Sequence, residues 1–174
     1  MEIHRYEQFW FGLSLLLIVA FIGTITYGAV GAGVEMVADD GGTVEPDDLS
    51  NHEKFQQYQQ NNATRVDDGE YAVAVQAVYP VFVPGTGNPI RVPENSEVTF
   101  YVSSPDVTHG FNIVGTNVNT MVIPGQIAEL TVEFGEYEDA EQFGIVCHEY
   151  CGPQHHEMAG QIEVVPKEQW EGEQ

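Results

Sequence analysis

Basic side chains are scarce in this sequence: 5 Lys and Arg residues stand against 27 Asp and Glu, which gives a formal net charge of -22. Nucleic-acid binding needs clustered Lys and Arg that displace the counterions around the phosphates, so the composition excludes a nucleic-acid partner. Self-repulsion of this size weakens a compact fold at low ionic strength. Because molar salt shortens the Debye length to about 3 Å, we expect a halophilic protein. The alternative is an ordinary acidic one.

Charged residues are absent from positions 8–34, where an apolar run begins with Phe9-Trp10-Phe11. A helix of about 20 apolar residues spans a bilayer, whereas the apolar core of a cleaved signal peptide has about 7–15. We therefore predict a cytoplasmic N-terminus at residues 1–8 and an uncleaved transmembrane anchor at 9–34. The small residues 31–33 keep a signal peptide as the alternative. The acidic chain that follows favours a single-pass protein of the cell membrane with its folded domain on the outer face.

Two further absences concern chemistry. The sequence lacks an acid–base pair or a nucleophile with its base, so we do not expect this chain to make bonds in a substrate by itself. Cysteine is rare as well: both cysteines lie in residues 147–158, together with half of the 6 histidines and one of the 4 methionines. Thiolate, imidazole and thioether groups select copper, zinc or iron–sulfur centres over magnesium or calcium. This stretch therefore predicts a soft-metal site, provided that one more ligand arrives from elsewhere.

The residues alone leave three metal arrangements open, beside a disulfide. For tetrahedral zinc the candidate ligands are Cys147, Cys151, His155 and either His148 or His156. Mononuclear blue copper uses two His, one Cys and a weak axial Met, which leaves one cysteine over. Dinuclear copper bridged by both thiolates would use His155 with Met158 and needs a second histidine from a distant strand. A Cys147–Cys151 disulfide would instead suit an adhesion-type sandwich. The regular spacing of His155 and Met158 favours a metal.

From residue 71 onwards the apolar residues follow a period of two, which predicts strands at 71–78, 98–102, 130–134 and 162–164. Several short strands separated by Gly and Pro predict an all-β fold, a sandwich or Greek-key barrel, over residues 71–174. Residues 35–70 have the composition of an acidic linker. Within them, the sequence pattern indicates a short helix at 49–60 with Asp48 or Ser50 as its cap. Residues 116–125 are expected to be irregular.

The spacing Cys-x-Glu-x-Cys-x-x-x-His-x-x-Met in residues 147–158 resembles the dinuclear copper (CuA) loop in subunit II of haem–copper terminal oxidases. That family also carries an upstream histidine in a Ser-Pro-Asp-Val-x-His-Gly-Phe segment, which is similar to residues 104–111. The resemblance implies these ligands: Cys147 and Cys151 bridge two copper ions, His109 and His155 are terminal ligands, and Met158 and the backbone carbonyl of Glu149 are weak axial ligands. It also implies a cupredoxin-like Greek-key β-sandwich preceded in the chain by one transmembrane helix. In that fold His109 ends a strand, and residues 147–158 connect the last two.

The function that this resemblance implies is electron transfer. A soluble donor, a cytochrome c or a blue-copper protein, would reduce the copper pair, which would pass electrons to the catalytic haem–copper subunit I. The chain would then be a non-catalytic subunit of an oxygen-reducing, proton-translocating cytochrome c oxidase-type complex. The single anchor resembles that of subunit II in B-type, haloarchaeal-like oxidases. In B-type oxidases a subunit II glutamate at the place of Glu7 lies at the entrance of the proton path into the catalytic subunit. The alternative is a membrane-tethered copper carrier or chaperone with the same ligands and an exchangeable metal.

Two departures from the family pattern concern surfaces rather than the metal. Residues 138–142 are an acidic insertion before Phe143, which takes the place of the family's aromatic residue. The Trp-rich run that precedes the first strand in mitochondrial-like members is absent, since the only tryptophans are Trp10 and Trp170. The ligand loop itself is complete.

Overall fold

The computed structural model describes residues 4–28, 41–137 and 142–170. The chain divides into two compact units, Met1–Val34 and Glu35–Gln174. The first contains one helix, and the second contains all the described strands.

The helix of the first unit, α1 (Arg5–Thr26), is 22 residues long and is apolar enough to cross a membrane. At about 1.5 Å per residue it rises about 33 Å, which matches the hydrocarbon thickness of a bilayer. Its only charged residues, Arg5 and Glu7, lie in the first turn, and the Glu7 carboxylate accepts a hydrogen bond of 2.9 Å from the backbone N–H of His4. The helix begins before the predicted anchor at 9–34, and residues 29–34 of that prediction lie outside the described residues.

The second unit is a sandwich of two five-stranded sheets. Its described elements are α2 (Glu53–Tyr58), β1 (Thr64–Asp67), β2 (Glu70–Val78), β3 (Val81–Val83), β4 (Ile90–Pro93), β5 (Ser96–Ser103), β6 (His109–Ile113), β7 (Asn119–Val122), β8 (Ala128–Phe134), β9 (Gln142–Val146) and β10 (Ala159–Val165). One sheet has the order β1-β2-β5-β8, with β3 also paired to β2, and the other has the order β4-β10-β9-β6-β7. The predicted all-β, cupredoxin-like sandwich is confirmed.

The main core lies between the sheets and is built from the inward residues of both. On β5, Val98, Phe100 and Val102 are fully buried while the residues between them are more exposed, as the period of two predicts. Phe111 bridges the sheets, since its ring centroid lies 5.8 Å from that of Phe82 and 6.1 Å from that of Phe100. Each large buried side chain of this kind contributes about 1.5–3 kcal/mol to stability.

A second, smaller core corrects the prediction of a linker at 35–70. Residues 41–70 contain a 3₁₀ turn, α2 and β1, and β1 pairs with β2 in antiparallel register. Leu49 and Phe55 are only 1% and 2% exposed because they pack with Ala74 and Ile127 against the outer face of the first sheet. The predicted helix is shorter than expected, and its cap is His52, whose side chain accepts from the Lys54 N–H. Residues 35–40 of the predicted linker lie outside the described part of the chain.

The strand directions bring three connections together at one end of the sandwich. Strands β2 and β5 run parallel, so Tyr79, directly after β2, and the loop 104–108, directly after β5, emerge at the same end. His109 begins β6 instead of ending a strand, and β9 runs antiparallel to β6, so residues 147–158 leave β9 at this end too. These residues connect β9 and β10, the last two strands, as predicted.

Two local expectations have other outcomes. Residues 119–122 form β7, which pairs with β6, so the segment 116–125 is more regular than predicted. Of the proposed insertion, residues 138–141 lie outside the described residues, and Gln142 begins β9. The Phe143 ring packs edge-on against Phe134, with 5.5 Å between the centroids.

Candidate metal centre

Two free cysteines and two histidines converge at the end of the sandwich where the three connections meet. The Sγ atoms of Cys147 and Cys151 lie 3.8 Å apart, far beyond the bond length of a disulfide, which is about 2.05 Å. The Nδ1 atom of His109 lies 3.9 Å from Cys147 Sγ, and the Nδ1 atom of His155 lies 3.7 Å from Cys151 Sγ. Each sulfur therefore has one imidazole nitrogen beside it.

Two weaker donors complete the group. The Sδ atom of Met158 lies 3.6 Å from Cys151 Sγ, and the backbone oxygen of Glu149 lies 3.2 Å from Cys147 Sγ. Met158 is 2% exposed and His109 is fully buried, whereas Cys151 and His155 are partly accessible. The structure thus brings all six of the sequence-predicted ligands to one place, and one side of the group opens to solvent.

Backbone hydrogen bonds hold residues 147–158 as a closed loop. The N–H of Cys147 donates to the Met158 carbonyl over 3.2 Å, so the two ends of the loop are joined. Inside it, the N–H of His155 donates to the carbonyl of Gly152, and the N–H of Met158 donates to that of His155. The ligand positions are therefore fixed by the loop itself as well as by the strands that carry it.

An acidic residue that the sequence analysis did not single out orients His109. The Oδ1 atom of Asp106 lies 2.8 Å from His109 Nε2. A carboxylate only accepts hydrogen bonds, so Nε2 carries the proton and Nδ1, the nitrogen facing Cys147, keeps its lone pair for a metal. A hydrogen bond of this kind from a ligand histidine to a carboxylate fixes the tautomer and raises the basicity of the ligand. The signal in the sequence is the position of Asp106, which stands three positions before His109.

Asp106 is itself held as a carboxylate. Burial raises its pKa, but the hydrogen bonds that it accepts outweigh this effect and hold the pKa below the ordinary value of 3.8. The donors are the His109 ring, the backbone N–H groups of Tyr79 and Val107, and the Ser104 hydroxyl. The negative charge beside His109 is therefore present at neutral pH.

A glycine at the start of β6 makes room for a close approach. The backbone N–H of Gly110 points at Cys147 Sγ over 3.4 Å, and the exposed ring of His148 lies over the position that a Cβ of Gly110 would occupy. His148 is thus a neighbour of the ligands that covers Gly110. His156 is 75% exposed at its side chain and lies 3.6 Å from the Glu157 carboxylate. Neither histidine has a ring nitrogen in the group of close sulfur and nitrogen atoms.

In the absence of a metal, the site favours a protonated thiol over a thiolate at Cys151. Burial, reinforced by the hydrogen bond and charge of Cys147, raises the pKa of Cys151 to about 11. A metal that binds both sulfurs must therefore displace protons, so its apparent affinity falls as the pH falls.

The donor atoms fit copper on chemical grounds. The ligand atoms of His109, Cys147 and Cys151 all lie within 4.8 Å of one another. A metal–sulfur bond is about 2.3 Å long, so two sulfurs that bind the same ion must lie within about 4.6 Å of each other. The observed distance of 3.8 Å between Cys147 Sγ and Cys151 Sγ satisfies this condition. Closed zinc sites use Cys, His and carboxylate ligands, whereas a buried thioether such as Met158 is typical of copper. The donor set therefore suits copper better than zinc.

Comparisons with known proteins agree with this geometry. Residues 49–165 match the family described as cytochrome c oxidase subunit II, periplasmic domain. The chain is 34% identical over 164 residues to a cytochrome c oxidase subunit 2 of Thermus thermophilus, and the match covers 91% of both chains. A second Thermus thermophilus protein of that name is 41% identical over 98 residues, 55% of this chain and 66% of its relative.

A solved structure extends the similarity to the fold. A chain in a heme-copper terminal oxidase dimer superposes with a TM-score of 0.67 at 27% identity, over 92% of this chain and 100% of that one. The matched family region contains every residue of the cysteine, histidine and methionine group, from His109 to Met158. This chain belongs to the cytochrome c oxidase subunit II family.

Proposed function

We propose that Cys147, Cys151, His109, His155 and Met158, with the carbonyl of Glu149, hold a dinuclear copper centre through which this subunit accepts electrons. The observation that carries the proposal is the paired arrangement of the donors. Two sulfurs lie 3.8 Å apart, and each has its own imidazole Nδ1 at 3.9 or 3.7 Å. A mononuclear blue-copper site would leave one of these thiols without a role.

As a subunit II, the chain is the part of a terminal oxidase through which electrons enter. We propose a soluble cytochrome c or blue-copper protein as the donor and the catalytic haem–copper subunit I as the acceptor. When bound, the copper pair would supply one-electron chemistry with the charge spread over both thiolates. Oxygen reduction would belong to subunit I, so this chain would contribute electron transfer alone.

The residues around the site hold the ligands in a rigid arrangement, which suits electron transfer. Asp106 keeps the His109 tautomer fixed, and the Cys147–Met158 backbone hydrogen bond closes the ligand loop. The buried side of the group, formed by His109, Cys147 and Met158, excludes water. Rigid ligands and a dry environment keep the structural change on reduction small, and the axial ligand tunes the potential.

We also propose a B-type arrangement with a cytoplasmic N-terminus. A single described helix is long and apolar enough to cross a membrane, and the metal site belongs to the other unit. In this proposal the copper domain lies on the outer face, and Glu7 lies at the inner interface. There its carboxylate can collect protons for a path into subunit I, although its hydrogen bond to His4 also gives it a role as a helix cap.

A membrane-tethered copper carrier is the competing function, and metal exchange separates the two. We expect the full-length chain, purified in detergent, to retain about two copper ions against a chelator. His155→Ala should reduce the copper content, while the matched variants His148→Ala and His156→Ala should keep it. Rapid loss of all copper from the wild-type chain to the chelator would favour a carrier instead.

A further inference from the structure

We propose that Tyr79 is a positioning residue that ties together the two loops carrying the copper ligands, with its backbone acting on His109 and its side chain acting on His155. The inference rests on the proposed copper function and assigns a role to a residue outside the ligand set. Tyr79 follows β2 directly and lies between these loops, because β2 and β5 end on the same side of the sandwich.

The backbone of Tyr79 supports His109 through Asp106. The N–H of Tyr79 donates to Asp106 Oδ2 over 2.8 Å, while Oδ1 of the same carboxylate accepts from His109 Nε2. Both carboxylate oxygens are thus engaged, one by each neighbour. Tyr79 therefore acts together with the Val107 N–H and the Ser104 hydroxyl to orient the carboxylate, and the carboxylate orients the His109 ring.

The side chain of Tyr79 supports the other loop between Cys151 and His155. Its hydroxyl oxygen accepts a hydrogen bond of 3.1 Å from the backbone N–H of Gln154. Its ring lies against Gly152, where a Cβ would stand only 2.6 to 3.1 Å from three ring carbons. Gly152 has a φ of 150°, a conformation that other residues rarely adopt, so glycine is required here for two reasons. The side chain therefore fixes the short segment that leads into His155.

This division between backbone and side chain makes the two effects separable. Tyr79→Phe removes the acceptor for the Gln154 N–H but keeps the backbone N–H that binds Asp106. Asp106→Asn alters the support of His109 but leaves the Tyr79 hydroxyl in place. Tyr58→Phe serves as a matched control, because Tyr58 stacks on Tyr101 at the outer face of the first sheet.

Two measurements on the full-length chain in detergent test the proposal. The first is amide hydrogen exchange at Gln154 in the metal-free protein, which we expect Tyr79→Phe to accelerate about five-fold because one hydrogen bond is lost. The second is proton NMR of the hyperfine-shifted imidazole signals after copper loading. We expect Tyr79→Phe to move the His155 signals and leave those of His109, while Asp106→Asn moves the His109 signals. Tyr58→Phe should change neither measurement.

Unchanged Gln154 exchange in Tyr79→Phe would overturn the proposal, because the contact would then not hold the loop. Faster exchange with unmoved His155 signals would also overturn it, since the contact would not position the ligand. A wild-type chain without the spectrum of a copper pair would contradict the proposed function instead, and the exchange measurement would still decide the Tyr79 contact.

Discussion

The Asp106 carboxylate and the His109 imidazole form a hydrogen bond of 2.8 Å at the ring nitrogen that faces away from Cys147. The opposite nitrogen of the same ring lies 3.9 Å from the Cys147 sulfur. The Nε2 atom of His109 is therefore held by a negatively charged carboxylate, and its Nδ1 atom can bind a metal. This relationship makes the electronic properties of the site depend on a residue that need not touch the metal.

We expect Asp106→Asn to bind copper and to raise its reduction potential. The carboxylate stabilises the more positive, oxidised centre, and an amide carries no charge to do so. A hydrogen bond to a charged group exceeds one to a neutral group by about 1 kcal/mol, which corresponds to a shift on the order of 40 mV for one electron. Redox titration of the copper absorption measures the shift, with His148→Ala as the control. A potential equal to that of the wild type would show that Asp106 does not tune the centre.

The same carboxylate predicts an acid-dependent loss of stability. Its pKa in the folded chain is below the ordinary 3.8, so the unfolded chain binds the proton more readily in this range. The contribution of Asp106 is therefore fully present above about pH 4 and is lost as the pH falls through the folded pKa. Urea unfolding of the metal-free chain between about pH 6 and about pH 3 should show a shallower decline for Asp106→Asn than for the wild type. Parallel declines would contradict this assignment.

Glu7 can act as a helix cap, as a proton collector or as both, and two substitutions distinguish these roles. Glutamine can replace glutamate in a capping box, so Glu7→Gln should keep the helix end while removing the titratable group. We expect it to slow oxygen reduction by the intact oxidase complex several-fold and to leave reduction of copper by the donor unchanged. Glu7→Ala removes both features and serves as the comparison. Wild-type turnover in Glu7→Gln would leave Glu7 with capping alone.

Salt should stabilise the chain strongly. Among the described residues, Lys54–Glu129, Arg65–Asp68 and Arg91–Glu163 form ion pairs. With 5 Lys and Arg residues in the sequence, basic side chains are too few to neutralise the 27 acidic residues. Screening at molar salt removes their mutual repulsion, so we expect the melting temperature of the metal-free chain to rise on the order of 10 °C between low and molar potassium chloride. Sucrose is the control because it does not screen charge. An equal rise in sucrose, or a flat response to salt, would argue against adaptation to salt.

The sequence predicted the strands of the core well because their signal is local. Alternation on β5 and β8 places Phe100 and Leu130 inward wherever the strands lie. The small core was not predicted, because its signal is not a local pattern. Leu49 and Phe55 are isolated apolar residues in a polar segment, and the average composition of that segment is typical of a linker. The composition therefore gives no indication that these two side chains pack against the sheet.

The ligands were predictable from motif spacing, whereas their supports were not. Residues 147–158 and 104–111 carry recognisable patterns, and the structure brings them together. Tyr79, Asp106 and Gly152 act through hydrogen bonds or close contacts, which leave no periodic signal in the sequence. Only the parallel pairing of β2 and β5, a property of the fold, places Tyr79 beside both loops.

Electron paramagnetic resonance of the copper-loaded, full-length chain tests the central claim most directly. The account predicts one unpaired electron shared by two copper nuclei, visible as hyperfine splitting from both. Cys147→Ser or Cys151→Ser should abolish this signal, because each thiolate bridges the pair, while Met158→Leu should keep copper and alter the potential. Hyperfine splitting from a single copper nucleus, or zinc as the metal found after native purification, would contradict the claim.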